Sequence, residues 1–195
     1  MQEEGKEKMK TKRKLAKKVI VGFVYIANVN VWYPTSIKGS FPMYTATILI
    51  PPTDAKALEG INMAIENTVQ EGLLIHSGFR RASKHNLPLH SFVEDQYSPF
   101  HGYYVINAST FDTPSILDHK VFPITDHSEV VNGSRVRVSL TFFPAKKDDT
   151  FCVGCKLGNI QKSVHKPEPI SLPPMDLDWC HEEFLRILYE SKLPT

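Results

Sequence analysis

The alternation of apolar and polar residues is clearest between residues 134 and 143, whose sequence is SRVRVSLTFF. Successive side chains of a strand point to opposite faces of its sheet, so this pattern predicts a strand with one core face and one outer face. The outer face would place two cations and a ring in one row, about 7 Å apart at every second residue. The core face carries Val136, Val138, Leu140 and Phe142, and the outer face carries Arg135, Arg137, Ser139, Thr141 and Phe143.

Three earlier segments also predict strands. Residues 19–33 indicate one long strand, or two strands around a bend at Gly22, and residues 44–50 (YTATILI) alternate as the next strand. Residues 103–109 (YYVINAS) predict another. The first two segments are close enough in sequence to pair as a hairpin.

A final strand is predicted for residues 151–157, which follow a turn at Asp148-Asp149 and so return as the second arm of a hairpin with residues 134–143. Gly158 is expected to let the chain leave this strand.

One internal helix is predicted after residue 54. Thr53 or Asp54 is a suitable N-cap, and the helix is expected to end at Gly72 or soon after. Its apolar positions recur at intervals of three and four residues, which is typical of a helix that packs one face on a core. These positions are Leu58, Ile61, Ile65, Val69 and Leu73.

The order of these elements predicts the fold class. Two strands precede the helix, residues 76–102 follow it without sustained periodicity, and three strands come last. The 14 prolines divide the chain into short segments, which favours a β-rich architecture. Five or more antiparallel strands with one internal helix suit a mainly β, partly open barrel.

Charge is distributed unevenly over a chain whose formal net charge is +2. Residues 1–18 contain eight lysines or arginines and three glutamates, a net charge of +5, whereas residues 168–195 contain two basic and six acidic residues, a net charge of −4. We therefore divide the chain into a flexible basic arm (1–18), a globular domain (19–165) and a proline-rich acidic segment (166–195). The two ends indicate either a polyanion partner and a protein contact, or two solvated tails.

The acidic segment contains apolar residues at helical spacing, which predicts a short helix. Such a helix would dock on a partner protein, on a second copy of the chain, or on the chain's own barrel. The residues concerned are Leu177, His181, Phe184, Leu185 and Leu188.

The apolar segment 19–29 follows the basic arm as a secretory signal core would, but its valine and isoleucine content and the alternation that follows favour a strand. No apolar run approaches the roughly 20 residues of a membrane span. Three cysteines, an odd number, are typical of a reducing compartment. The sequence therefore predicts an intracellular protein without a membrane segment.

The pair Cys152 and Cys155 has the spacing of a metal or redox motif, but a structural zinc site needs four ligands. Strand alternation would point the two thiols to opposite faces. Downstream candidates are few and poorly spaced, so no metal is expected; they are His165, Cys180 and His181.

Two acidic clusters, Asp118-His119 and residues 126–129 (DHSE), contain groups suited to acid–base chemistry. Each lies beside a proline in a turn-rich segment, where side-chain oxygens usually bond to nearby backbone. The chain also lacks the common phosphate-loop, hydrolase and zinc-protease motifs. No enzymatic activity or cofactor is predicted.

Cations interleaved with aromatic residues are the strongest functional signal. Single-stranded nucleic acid is bound by such mixtures, since bases stack on rings while cations follow the phosphates. The candidate DNA-binding residues are Trp32, Lys38, Tyr44, Arg80, Arg81, Lys84, Tyr103, Phe111, Arg135, Arg137, Phe143, Lys146, Lys147, Lys156 and Lys162.

Across residues 25–165 the sequence resembles phage single-stranded DNA-binding proteins with an OB fold. The resemblance rests on several stretches that occur in the same order and at similar spacing. They are NVNVWYP (28–34), YTATILIPPTD (44–54), YYVINAST (103–110), ITDHSEVVNGSRVRVSLTFF (124–143) and LGNIQK (157–162).

The resemblance implies an OB-fold barrel that coats single-stranded DNA without sequence preference during phage replication, recombination or repair. It further implies a homodimer in the cytoplasm of the infected host cell, with no cofactor, and replication or recombination proteins as partners of the C-terminal segment. Related proteins commonly end in a strongly acidic tail, whereas residues 166–195 are only moderately acidic. Two alternatives remain open: an RNA-binding protein or nucleic-acid chaperone, and a non-enzymatic protein-interaction module on the same fold.

Overall fold

The computed structural model describes residues 16–36, 41–75, 87–98, 100–147 and 150–165. Within these ranges the chain forms seven strands, one α-helix and one turn of 3-10 helix. In chain order they are β1 (Lys18–Thr35), β2 (Met43–Ile50), α1 (Ala55–Ile75), β3 (Leu89–Ser91), β4 (Tyr104–Thr110), β5 (Ile116–Leu117), the 3-10 turn (His127–Glu129), β6 (Arg135–Lys147) and β7 (Thr150–Lys162).

Several predicted features lie outside the described residues. They include most of the basic arm and the whole of segment 166–195 with its predicted helix, so the proposed division of the chain stays a prediction. The side chains of Lys146 and Lys147 are also outside the description, although their backbone belongs to β6. The candidate DNA-binding residues wholly outside it are Lys38, Arg80, Arg81 and Lys84.

Five of the strands close into a barrel. Its order is β4–β2–β1–β6–β7 with antiparallel neighbours, and a parallel pairing of Ser109 in β4 with Lys156 in β7 joins the two ends. β3 extends the sheet beside β4, and β5 extends it beside β7. The predicted mainly β barrel with one internal helix is confirmed, and its arrangement is consistent with an OB fold.

The barrel interior is filled by the alternating apolar positions of its strands. Along β6, Val136, Val138, Leu140 and Phe142 are all fully buried, as their spacing predicts. The residues between them point outward, and Arg137 is exposed. The sequence of β6 therefore separates a core face from an outer face along the first half of the strand.

Helix α1 packs against β1 and β6 through its buried face, which includes Ile61 and Ile65. Asp54 is the N-cap, because its carboxylate accepts the backbone N–H of Ala57 at 3.1 Å. The helix ends at Ile75, in agreement with a predicted end at Gly72 or soon after. No helix within the described ranges is long and apolar enough to cross a membrane.

The sequence predicted that the chain leaves the last strand at Gly158, and this prediction is wrong. β7 continues to Lys162, and Gly158 lies at a register shift between β6 and β7. There the Ser139 hydroxyl accepts the backbone N–H of Asn159 at 2.9 Å. A Cβ at Gly158 would lie 2.8 Å from the Ser139 carbonyl oxygen and closer still to its hydroxyl. Glycine is required here because two strands approach closely.

Candidate nucleic-acid interface

Two arginines and three rings form a row on the outer surface beside β1 and β6. We call this row the arginine strip and define it as Phe23, Tyr25, Tyr103, Arg135 and Arg137. The guanidinium carbon of Arg135 lies 6.0 Å from the centre of the Tyr25 ring, and that of Arg137 lies 5.1 Å from the centre of Phe23. Tyr103 meets Tyr25 edge-on, with ring centres 6.3 Å apart. Each cation of the strip thus lies over a ring.

The β1 half of the strip depends on a bulge. Val21 pairs with Val138 and Val24 pairs with Val136, so three steps along β1 match two steps along β6. A bulge of this kind accommodates one extra residue and redirects the side chains beside it. Both valines of β1 remain fully buried, while Phe23 points outward and is 42% exposed. The bulge therefore places Phe23 beside the arginines.

The charges of the strip are not neutralised within the described part of the chain. Neither Arg135 nor Arg137 forms an ion pair with a described carboxylate. Arg135 is oriented by its Nε, which donates to the carbonyl oxygen of Phe23 at 3.3 Å. Two fixed positive charges therefore face solvent between aromatic surfaces.

Two candidate lysines have described side chains, Lys156 and Lys162, and both have acidic partners. Lys156 donates to the Asp112 carboxylate at 2.6 Å, on a surface where both side chains are substantially exposed. Lys162 forms an ion pair with Glu129. The exposed Lys156–Asp112 pair is weak and screened by salt, so it does not prevent Lys156 from contacting phosphate, whereas the Lys162–Glu129 pair is partly buried.

Arg137 lines two grooves. One has a volume of about 320 Å³ and the other about 190 Å³, and Gln161 lines both. The larger groove is bordered by both arginines of the strip together with two histidines. Its lining residues are Phe23, His119, Arg135, Arg137, Gln161, Lys162, Ser163, Val164 and His165.

The Trp32 ring is largely occupied by contacts within the protein, which leaves little of it for stacking on a base. It is half-buried against the main core, its Nε1 donates to the Val130 carbonyl oxygen at 3.0 Å, and its ring stacks on His127 at 4.7 Å. Its neighbour Tyr33 is 65% exposed and meets His127 edge-on at 5.0 Å. Tyr33 is therefore the more accessible ring of this cluster.

The remaining aromatic candidates lie away from the arginine strip. The Tyr44 hydroxyl is 3.0 Å from that of Thr113, and Phe111 follows β4 as a half-buried residue. Phe143 lies over Gly154 of β7, where a Cβ would overlap its ring. Tyr44, Phe111 and Lys156 thus lie near the edge where β4 meets β7, and only three of the predicted residues come together in the strip.

The sequence analysis did not assign Phe23, Tyr25, His119 or Gln161 to a nucleic-acid interface. The signal for the first two was present, because they occupy alternate positions of the predicted first strand. The arginines that contact them, however, lie more than 100 residues away, and their positions opposite β1 depend on the bulge. His119 and Gln161 come together because Leu117 of β5 pairs with Gln161 of β7, and the Gln161 amide donates to the carbonyl oxygens of Asp118 and His119, at 3.2 and 3.4 Å.

The cysteine pair belongs to the packing of β7. Cys155 lies in the main core as a free thiol, and burial raises its pKa above the ordinary value. Cys152 is buried with Ala145 in a separate small cluster, as expected from strand alternation, but it is disulfide-bonded and not the thiol that the sequence predicted. Within the described ranges, no three histidine, cysteine, aspartate or glutamate side chains are grouped as metal ligands would be.

Both acidic clusters bond to nearby backbone, as predicted. The backbone N–H of Phe122, followed by that of Lys120, lowers the pKa of Asp118. The hydroxyl and the backbone N–H of Ser128 lower the pKa of Asp126. These carboxylates are therefore ionised groups that organise turns.

The chain is similar to phage proteins. A family model described as Enterobacter phage Enc34, ssDNA-binding protein, matches residues 17–171. The single-stranded DNA-binding protein from bacteriophage Enc34 in complex with ssDNA gives a TM-score of 0.69 at 19% identity, covering 80% of this chain and 90% of that chain. The crystal structure of gp2.5, a single-stranded DNA binding protein encoded by bacteriophage T7, gives 0.58 at 10% identity, covering 84% and 97%. A search of curated proteins gives no match.

Proposed function

The chain belongs to the family of the Enterobacter phage Enc34 single-stranded DNA-binding protein, and we propose that it coats single-stranded DNA without sequence preference during phage DNA replication, recombination or repair. The observation that carries this proposal is the arginine strip, where two cations without a described acidic partner alternate with rings. The family match also extends over the whole described barrel.

The strip supplies both kinds of contact that a single strand needs. Arg135 and Arg137 would neutralise phosphates and release their counterions, which makes binding dependent on salt. Exposed rings such as Phe23 would receive bases, at about 1–3 kcal/mol for each stacked base. Because every base has an aromatic face, stacking on these rings requires no particular sequence.

Preorganisation supports the same function. The two guanidinium groups already lie over rings in the free chain, so less side-chain freedom is lost when a strand binds. The Gln161 amide, which would be suited to reading a base edge, is engaged by the backbone of Asp118 and His119. This arrangement favours backbone and stacking contacts over base-specific hydrogen bonds.

The remaining predicted residues belong to the proposal as a second contact region. OB folds commonly bind oligonucleotides on their second and third barrel strands and on the adjoining loops. In this chain those strands are β2 and β4, and the adjoining connections include Lys38 and the β6–β7 hairpin. The residues assigned to this region are Trp32, Lys38, Tyr44, Phe111, Phe143, Lys146, Lys147 and Lys156, with the basic segment Arg80, Arg81 and Lys84. Lys162 instead lines the larger groove beside the arginine strip.

We also propose that the protein acts without catalysis, as a homodimer, inside the infected host cell. Its C-terminal segment would contact replication or recombination proteins, and its basic arm would add phosphate contacts. The charge difference between residues 1–18 and 168–195 supports separate roles for the two ends.

A binding titration tests the function. Single-stranded and double-stranded DNA of equal length are compared at two salt concentrations by fluorescence anisotropy, with an RNA oligomer as a further competitor. We expect tighter binding to the single strand and weaker binding at the higher salt concentration. Equal affinity for single and double strands would contradict the proposal.

A further inference from the structure

A short rigid loop stands beside the larger groove of the arginine strip. It comprises residues 118–123, follows β5, and is called the Phe122 loop. The backbone N–H of Asp118 donates to the carbonyl oxygen of Phe122 at 2.8 Å, and the N–H of Val121 donates to that of Asp118 at 3.1 Å. A bridge between Leu117 and Pro123 closes its base. The loop is thus held by its own hydrogen bonds.

The Asp118 side chain fixes the loop from inside. Its Oδ1 accepts the backbone N–H groups of Lys120 and Phe122, each at 2.8 Å. The Gln161 amide of β7 donates to the carbonyl oxygens of Asp118 and His119, which attaches the loop to the barrel. These bonds leave the loop little freedom to withdraw its tip from solvent.

The tip of the loop is both strained and apolar. Val121 has a φ of 71°, a left-handed conformation that is a genuine outlier for a β-branched residue. Val121 and Phe122 are 62% and 66% exposed. Strained residues persist where the surrounding structure enforces them, and they cluster at binding sites. Here the strained residue, Val121, directly precedes the exposed ring of Phe122.

The position of the loop identifies a ligand for this ring. His119 lines the larger groove together with Arg135 and Arg137, and Lys120 precedes the apolar tip. A phosphate chain that follows the arginines along this groove would reach His119, and the exposed Phe122 ring follows His119 by three residues in the same hydrogen-bonded loop.

We propose that Phe122 stacks on a base of the strand bound along the arginine strip, and that the Phe122 loop thereby extends the interface from the sheet to a fixed wall. This inference rests on the proposed single-stranded DNA function. Asp118 is a positioning residue in this arrangement, because it acts on DNA only through the loop that it holds.

Stacking and charge have different experimental signatures. A neutral ring contributes affinity without releasing counterions, so its removal should leave the salt dependence of binding unchanged. Its contribution should also require a base on the strand. Loss of one stacked base corresponds to about a 5- to 150-fold weaker affinity.

The test compares Phe122→Ala with the unsubstituted full-length chain on a poly-dT oligomer and on an abasic oligomer of the same length. We expect weaker binding to poly-dT by that factor, an unchanged salt slope, and no change on the abasic strand. Met63→Ala is the matched control, since Met63 is a 57% exposed apolar residue on α1. It should bind like the unsubstituted chain.

A second variant reports the contact directly. In Phe122→Trp the new indole should be quenched by poly-dT beyond the quenching of the unsubstituted chain, and affinity should be retained. Equal poly-dT affinity of Phe122→Ala and the unsubstituted chain, or no added quenching, would overturn the inference while leaving the proposed function intact. Failure of the unsubstituted chain to bind poly-dT would overturn both.

Discussion

The guanidinium carbon of Arg137 lies 5.1 Å from the centre of the Phe23 ring, and the contact joins the start of β6 to the bulge of β1. An exposed arginine would ordinarily sample many rotamers, but a ring beneath it favours one orientation. The same contact keeps Phe23 partly covered on one side while its other surface faces the groove. Charge and stacking surface are therefore positioned together.

The Phe23–Arg137 contact predicts measurable coupling in stability. Alanine substitution of each residue and of both should give a coupling free energy of unfolding of about 0.5–1 kcal/mol. Urea denaturation measures it. The control is alanine substitution of Phe23 and of Lys56, which lies on α1. Their effects on the free energy of unfolding should add. Additivity of Phe23 and Arg137 would show that the contact contributes nothing in solution.

Substitution of Gly158 by alanine should destabilise the barrel. The added Cβ would press on the Ser139 carbonyl group and force β6 and β7 apart, at a cost of about 1–3 kcal/mol. Gly22→Ala is the control, because its nearest neighbour would be the Asp54 carboxylate at 3.8 Å. In thermal unfolding, Gly158→Ala should have a lower melting temperature than Gly22→Ala. Equal melting temperatures would refute the close approach of β6 and β7 at Gly158.

Val121→Asn should stabilise the fold. Asparagine tolerates the left-handed conformation better than a β-branched residue, and relief of the strain should raise the free energy of unfolding by about 1 kcal/mol. Val164→Asn is the control, since Val164 is also exposed and does not have a positive φ. Chemical denaturation that finds no gain for Val121→Asn over this control would argue against strain at the loop tip.

Asp118 predicts a pH-dependent contribution to stability. Hydrogen bonds from the N–H groups of Phe122 and Lys120 lower its folded-state pKa below the ordinary 3.8. A carboxyl group of this kind stabilises the fold above its unfolded pKa, and the contribution is lost as pH falls through the folded pKa. Asp118→Asn should therefore be less stable than the unsubstituted chain at pH 7, and the difference should shrink towards pH 2. A difference that is constant from pH 7 to pH 2 would exclude this origin.

The sequence predicted the elements whose signals are local. Strict alternation in residues 134–143 was sufficient to identify a strand and to assign its core residues, all of which are buried. The capping position at Asp54 and the apolar spacing after it likewise located α1. The short strands β3 and β5 were missed because two or three residues are too few to show a period.

Features that depend on distant pairing could not be predicted in the same way. Gly158 suggested a strand end, but its close approach to Ser139 is visible only when β6 and β7 are paired. Trp32 suggested an exposed ring, but Val130 and His127, about 100 positions away, enclose it. Only part of the arginine strip was predicted. The alternation of residues 134–143 identified Arg135 and Arg137, whereas the bulge that places Phe23 depends on how β1 pairs with β6.

The central claim is that the arginine strip binds the phosphates of single-stranded DNA. The most direct test is the slope of log affinity for poly-dT against log salt concentration, measured for Arg137→Ala, for Arg135→Ala with Arg137→Ala, and for Lys56→Ala. Lys56 is exposed on α1, and its substitution removes the same single charge as Arg137→Ala. We predict that the slope becomes shallower by about 0.7 for each arginine removed and stays unchanged for Lys56→Ala. Arginine variants whose slope and affinity equal those of the unsubstituted chain would contradict the claim.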